Sequence, residues 1–556
     1  VTGRSPSFPE FVPTAGHLIR ACAERHGDKV FAVLGDQRLT YAAAEERSAQ
    51  LAKGLLASGQ GKASRVGLLA PNGPDWIVAW LGAARMGAVV SLLNTYSKAR
   101  ELGWVLRHAD IGLLMTADRY LGHDYLARLE DAVPGLAGAT NEAVFTESHP
   151  YLRSVWALGE PGRPWAGRME DLAARGAGVT DGLLENVEAE VTPADPMVVV
   201  YSSGSTAAPK GAVHSHGAVV RHAHNLWQFR DLTADDVLYT PMPLFWVGGL
   251  SFTLVAAMHA GATLVFEEQF EPGATLELIE RERVTQVLGW PHMAQALIDH
   301  PSFEQRDLSS VRGGTLAALQ PRGDATLEAP RANALGMTET LGPHTIESKD
   351  TVVTPDQAGT FGRSVPGIEH KVVDPATGEE LPVGSIGELW LRGYPLMIGL
   401  HKVERDQVFT PDGWYRTGDG GHFDADGHFY YRGRLGDVIK SSGMNVTPRD
   451  VELELEALPE VVLAFVTGVD HPTRGQDVVA AVALAPGASM SADEIRGCLK
   501  AQVASYLVPR HVAVFADQSE LPWLDSGKVD RRRLAKILED QFAPAAPDGR
   551  LPPPSA

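Results

Sequence analysis

The sequence predicts an α/β protein: a large N-terminal domain of two stacked, doubly wound βαβ lobes plus a small β-barrel, followed by a small α+β domain. Three observations predict it. Short apolar runs alternate with helical patterns through the first two thirds of the chain, as in parallel sheets with helices on both faces. From Gly359 to Tyr431 the pattern changes to short strands separated by Gly, Pro and Asp turns. Beyond residue 434, two helix-start signals flank an uninterrupted apolar strand.

The elements follow in order. Val66–Ala70 reads as a strand, Asp75–Arg85 as a helix and Ala88–Leu93 as the next strand. Met197–Val200 is a buried strand that opens into a loop. Val237–Thr240, Leu250–His259 and Ala262–Phe266 repeat the alternation, and a helix over Thr275–Arg283 precedes a strand at Thr285–Leu288. Two such sets, one on each side of the loop, give two lobes. Gly387–Gly393 and Asp424–Tyr431 belong to the barrel or antiparallel sheet, and Gly433–Gly436 reads as a linker. Thr447-Pro448-Arg449-Asp450 places a hydroxyl N-cap, a first-turn proline and an acid at helix-start spacing. Ser491-Ala-Asp-Glu494 repeats the capping box, and Val478–Leu484 between them suits a strand. The expected domains are 1–433, with the barrel at about 359–433, and 434–542. The tail 543–556, with five prolines, reads as disordered.

At 556 residues the chain is too long for one core. It is 44% hydrophobic and 21% charged, ordinary for a globular protein. A formal net charge of -20 argues against nucleic acid or an anionic membrane as the main partner. Cys22 and Cys498 are the only cysteines and lack metal-type spacing, so both read as buried structural thiols. No apolar h-region follows Val1–Pro6. The apolar stretch Leu250–Phe266 is broken by Ser251, Thr253, His259, Gly261 and Thr263, which argues against a membrane span. The expectation is a cytoplasmic protein with no integral membrane association.

The loop after Met197–Val200 is the richest chemical signal. Tyr201-Ser-Ser-Gly-Ser-Thr-Ala-Ala-Pro-Lys210-Gly211 combines glycine, four serine or threonine hydroxyls and one lysine. Glycine lets backbone approach a ligand, exposed N–H groups and the hydroxyls of Ser202, Ser203, Ser205 and Thr206 can donate to phosphate, and Lys210 adds a point charge. Pro209 before the lysine and Gly211 after it exclude a Walker A loop. Taken alone, the segment is equally an ordinary Ser/Gly loop.

Further motifs follow in fixed order: Gly336-Met-Thr-Glu339, Trp414-Tyr-Arg-Thr-Gly-Asp419, Gly433-Arg434-Leu-Gly-Asp437-Val-Ile-Lys440-Ser-Ser-Gly443 and Ser526-Gly-Lys528-Val-Asp-Arg-Arg. With these, the chain from about 15 to 540 resembles the adenylate-forming superfamily of acyl-CoA synthetases, nonribosomal adenylation domains and luciferase-like enzymes. The pattern is most similar to acyl-CoA synthetases. The resemblance implies that Ser202, Ser203, Gly204, Ser205, Thr206 and Lys210 hold the β- and γ-phosphates of ATP, that Thr338 meets the α-phosphate, and that Glu339 helps to hold Mg²⁺. It implies that Asp419 reads the ribose diol beside Arg434, and that Gly313 and Gly314 lie against adenine. Lys528 would bridge the acyl carboxylate and phosphate. Lys440, Ser441, Ser442 and Gly443 would line a CoA tunnel after the mobile small domain rotates about Gly436.

The chain departs from the family pattern at four places. Leu335 stands where an aromatic residue is usual, and the segment from Gly314 to Gly336 is short. Gly436 stands where Asp or Lys is common, and Trp246 where histidine is common. Trp246, Val247, Gly248, Gly249 and Leu250 suggest an apolar acyl pocket, with Trp246 either its wall or a core aromatic. No acidic reader for an amine appears between Phe245 and Ala257. The implied reaction joins a carboxylic acid to CoA through an acyl-adenylate, with ATP giving AMP and pyrophosphate. The alternatives are a stand-alone adenylating enzyme that passes acyl-AMP to a partner, a kinase-like nucleotide-binding protein that makes ADP, and a silent nucleotide-binding module. Assembly as a homodimer stays open.

Overall fold

The computed structural model describes residues 5–202, 209–316, 319, 333–348, 351, 353–437, 439–441, 444–471, 475–503, 507–524 and 528–542. The chain packs as two compact units. The first takes Val1–His370, Leu391–Tyr415 and Gly427–Phe429; the second takes Lys371–Trp390, Arg416–Asp426 and Tyr430–Ala556.

The first unit is built on two sheets. In the eight-stranded sheet, the strands run in the order Gly399–Leu400, Lys210–Ser215, Pro196–Ser202, Val89–Leu92, Arg65–Leu69, Leu113–Ala117, Ser154–Leu158 and Ala166–Arg168. Every pair from Pro196–Ser202 onward is parallel; the two pairs at the other edge are antiparallel. The six-stranded sheet runs Gly313–Gly314, Gln286–Val287, Val237–Tyr239, Thr263–Phe266, Val30–Leu34, Gln37–Thr40, parallel except for its last pair. Parallel strands need helical crossovers, and those helices bury both sheets. The helices Tyr41–Ala57, Pro74–Arg85 and His216–Phe229 share one apolar core with strand residues of both sheets, including Ala32, Val66, Val198 and Leu264.

Leu250–His259 departs from the expected helix in its pitch. Gly248–Val255 is π-helical and Ala256–Ala260 α-helical, both mostly buried. Wide turns of this kind insert an extra residue and collect at functional sites. Among the described residues no helix is long and apolar enough to cross a membrane.

The barrel region appears as a four-stranded sheet of Ile368–Val373, Gly387–Gly393, Tyr415–Phe423 and Phe429–Arg434. The second unit carries a five-stranded sheet. There, Val461–His471 and Gly475–Leu484 form a long antiparallel hairpin, and His511–Phe515 pairs in parallel with Gly475–Leu484. The Ser491–Glu494 capping box forms in both directions. The one expected at Thr447 does not. Thr447 occupies the N-cap position but accepts no side-chain bond, and Asp450 instead pairs with Arg432 at 3.2 Å. The segment read as a linker, Gly433–Gly436, lies in regular structure. Strand Phe429–Arg434 runs through Gly433, and Leu435–Asp437 forms a 3₁₀ turn.

Buried histidines set the acid limit of the first unit. Burial pushes His214, His259 and His344 down to about 3 and His216 and His222 to about 4, from an ordinary 6.5. Unfolded rings take up protons near pH 6.5, whereas the folded rings refuse them until the pH is far lower. Stability is therefore full above that pH and falls as pH drops toward 4, by about 1.4 kcal/mol per ring per pH unit. Calorimetry should find a thermal midpoint level between about pH 7 and 8 and falling steeply below about 6.5. A level midpoint down to pH 5 would contradict these burials.

Candidate active site

In the first unit, the loop of hydroxyls and glycines joins two antiparallel strands. The register runs from Pro196↔Ser215 to Ser202↔Lys210, so Lys210 stands at the last rung before the loop. Ser203, Gly204, Ser205 and Thr206 lie outside the described residues, as does the side chain of Ser202. Gly211 is required by packing: a Cβ there would lie 2.9 Å from Val199 Cγ1 and 3.0 Å from the Tyr201 ring. Tyr201 is anchored by its hydroxyl, 2.9 Å from His108 Nδ1, and by the edge of its ring against Trp104.

Thr338 and Glu339 sit in a 3₁₀ turn, Thr338–Thr340, that follows the strand Leu335–Met337. Their backbone carbonyls are gripped by His214, on a strand of the eight-stranded sheet, and by Met397, which precedes the edge strand Gly399–Leu400. His214 Nε2 lies 2.9 Å from the Thr338 carbonyl, and Met397 N–H donates to the Glu339 carbonyl at 2.8 Å. Ile398 N–H in turn donates to Val213, and His401 N–H to Gly211. The Lys210 ammonium, the Thr338 hydroxyl and the Glu339 carboxylate make no hydrogen bond or ion pair with any described residue. Thr338 and Glu339 are half-buried and Lys210 is exposed; half-buried polar groups without protein partners are groups that a ligand can satisfy. Glu339 supplies one carboxylate, and no cluster of three metal-ligating side chains occurs among the described residues. That donor set fits Mg²⁺ held through phosphates and water, not an all-protein cage.

Trp246 is half-buried against the main core and touches two rings, Phe245 at 5.5 Å and Tyr96 at 6.2 Å. Val247 and Gly248 are half-buried beside it. Gly249 has a strict reason to be glycine, since a Cβ would fall 2.0 Å from the Pro243 carbonyl oxygen. Asn72 braces the same segment. Its Nδ2 donates to Met242 O at 2.8 Å, and Leu244 N–H donates to its Oδ1 at 2.8 Å. Gly313 and Gly314 form the edge strand of the six-stranded sheet. Gly314, at φ +117, would place a Cβ 2.1 Å from Val287 O, so the backbone itself demands glycine there.

In the second unit, Asp419 is 2% exposed and receives Arg434 Nε at 2.8 Å and the Tyr431 hydroxyl at 3.3 Å. Arg434 also donates to Thr417 O at 3.0 Å, and Glu388 accepts from Gly418 N–H. The acid and the arginine thus form one unit with a buried and an exposed end. Lys440 and Ser441 lie in the strand Ile439–Ser441, Lys440 exposed and Ser441 buried; Ser442 and Gly443 lie outside the described residues. Gly436 is exposed, and a Cβ there would meet nothing within 4 Å. Lys528 is exposed and its ammonium has no described partner; Leu524 N–H donates to its backbone carbonyl, and Trp523 bridges to Val529 beside it. The helix behind it, Arg531–Phe542, is tied by Arg531 to the buried Glu452 at 3.2 Å.

Sequence reading missed His214, Asn72, Tyr96 and Tyr431. For His214 a signal existed: it lies two alternations after Lys210, on the same side of an apolar strand. The other three touch residues distant in sequence, and no local pattern marks them.

The chain matches the model for AMP-binding enzymes over residues 19–401 and that for the AMP-binding enzyme C-terminal domain over 450–528. It is 30% identical over 542 residues to the putative acyl-CoA synthetase YngI of Bacillus subtilis, covering 95% of this chain and 98% of that one. It is 30% identical to the mitochondrial medium-chain acyl-CoA ligase ACSF2 of Mus musculus, covering 95% and 88%. ATP-bound MatB from Rhodopseudomonas palustris superposes with a TM-score of 0.78 at 25% identity, covering 95% and 99%.

Replacing Asn72 by Ala removes both ends of the brace on Met242–Leu244. We expect a stability loss of about 1–3 kcal/mol, read by urea unfolding. A wild-type unfolding midpoint would mean that the brace is idle.

Proposed function

The chain belongs to the AMP-binding enzyme family, and we propose that it ligates an apolar carboxylic acid to CoA through an acyl-adenylate. Its class is that of the AMP-forming acid–thiol ligases. One observation carries the reading. The Thr338–Thr340 turn is fixed through its backbone to the strand that begins with Lys210, while the side chains of Thr338, Glu339 and Lys210 have no described partner.

The acid's carboxylate oxygen attacks the α-phosphorus of ATP as the bond to the β-phosphate oxygen breaks, and pyrophosphate leaves. Two anions must meet, so the chemistry is mostly positioning and charge stabilisation. Lys210 and the 202–206 loop would hold the β- and γ-phosphates, and Thr338 the α-phosphate. Glu339 would hold Mg²⁺, which supplies positive charge to the phosphate oxygens. Asp419, oriented by Arg434, would accept from the ribose diol; a carboxylate can take both hydroxyls. Gly313 and Gly314 would lie against adenine. Lys528 would place its ammonium between the carboxylate and the α-phosphate. The CoA thiol then attacks the acyl carbonyl carbon, releasing its proton, and AMP leaves. Lys440, Ser441, Ser442 and Gly443 would line its path, and Gly436 would serve as the hinge.

The Trp246–Leu250 segment, with its aromatic neighbours, supports an apolar acyl group, and ACSF2 is named for medium-chain acids. We place the small domain at 434–542 and the enzyme in the cytoplasm. The test is a carboxylate panel with pyrophosphate, acyl-AMP and acyl-CoA quantified together, with and without CoA. Acyl-CoA formation supports ligation. Acyl-AMP that accumulates with every good acid points instead to transfer to a partner, and no pyrophosphate with any acid defeats the reading.

Lys528→Ala should lower acyl-AMP formation 100- to 1000-fold, about 3–4 kcal/mol of charge stabilisation, in a protein with unchanged unfolding. Activity within tenfold of wild type would remove Lys528 from the chemistry. Asp419→Ala should weaken ATP by about 1.5–3 kcal/mol and erase discrimination between ATP and 2′- or 3′-deoxy-ATP; retained discrimination would show that the diol is read elsewhere.

A further inference from the structure

His214 stands at the crossing of the two elements that the proposed chemistry needs. It lies on the strand that begins with Lys210, and its fully buried ring reaches the Thr338 carbonyl at 2.9 Å. A carbonyl only accepts, so Nε2 carries the proton and the ring is the donor. The turn has few other anchors. Met397 N–H holds the next carbonyl, Thr340 bonds within the turn, and Leu341 leaves it at φ +58.

The ring is also fixed in charge. Burial pushes it down to about 3 despite the opposing bond to Thr338, so it stays neutral at working pH. The groups behind it are neutral too. His222 is its electrostatic neighbour, and His344 is the neighbour of His222. His344 Nδ1 meets His370 Nε2 at 3.0 Å, and His370 Nδ1 meets Ser364 Oγ at 2.7 Å. All of these are buried. Burial holds His222 and His344 neutral as well, so neither adds a charge near the turn.

We propose that His214 is a positioning residue for adenylation: its Nε2–H fixes the Thr338 carbonyl, and so keeps the Thr338 hydroxyl and Glu339 carboxylate in register with Lys210. This rests on the reading of Thr338 and Glu339 as groups that meet the α-phosphate and its metal. A buried histidine that only stabilises the fold would show the same bond. The two roles separate in kinetics, because a group that positions transition-state contacts lowers kcat while leaving KM nearly unchanged.

The experiment compares His214→Met with His214→Gln in the full-length enzyme. The two side chains match in shape, and only Gln can donate. Pyrophosphate release is measured with the best acid of the panel, and thermal unfolding in parallel. His214→Met should lose about 10- to 100-fold in kcat, with KM for acid and ATP within about threefold of wild type. His214→Gln should recover to within about fivefold at the same thermal midpoint as His214→Met. Equal kcat in the two variants, or wild-type kcat in His214→Met, overturns the proposal. If neither variant folds, ¹⁵N-histidine NMR of wild type decides: a protonated Nε2 resonance that shifts on adding an acyl-sulfamoyl adenosine supports it, and an unmoved resonance overturns it. A wild-type enzyme that releases no pyrophosphate with any acid fails the functional reading instead, a different and separately visible result.

Discussion

Holding a turn by its carbonyls so that the Thr338 and Glu339 side chains stay free is the constraint on which the candidate site depends. A side chain that anchors structure is spent on that contact; one carried on a backbone-anchored turn remains available to a ligand. The Thr338–Thr340 turn meets this condition through His214 and Met397. The charged residues used for architecture look different. Arg85 is fully buried and paired with Glu188 and Glu45, and Arg312 is paired with Asp236. Removing one partner of such a pair strands a buried charge, so these pairs are costly to disturb.

The anchoring donor is an imidazole, and its neutrality matters. A lysine or arginine in the same buried position would need a counter-ion, and a carboxylate could not donate to the carbonyl. A buried neutral histidine donates without that demand. The same burial that keeps the ring uncharged makes the first unit sensitive to acid, so one physical cause underlies both the fixed site geometry and the pH limit of stability.

The Met242–Leu250 segment shows a second constraint, close backbone approach. Gly249 lets the π-helical turn sit on the Pro243 carbonyl, and Asn72 pins Met242 and Leu244 from the other side. The segment is thus shaped from both faces, and Trp246 keeps one half-buried face against Tyr96 and Phe245. Gly436 is the opposite case: no packing and no left-handed backbone requires glycine there.

The sequence by itself determined the fold class, the alternating elements of the lobes and the order of the motifs, because hydrophobic period and turn chemistry are local properties. Strands such as Arg65–Leu69 and Val89–Leu92 and the helix Pro74–Arg85 fall within a residue or so of their expected bounds. It also marked Lys210, Thr338, Glu339, Asp419, Arg434 and Lys528 as the residues to inspect. Tertiary structure alone decided the rest. The π-helical pitch of Gly248–Val255 depends on what it packs against, and Asp450 pairs with Arg432 because the preceding strand brings that arginine within reach. The grip of His214 on Thr338 joins residues 124 positions apart. No local period carries such a contact, because it exists only once the strand and the turn have been folded together.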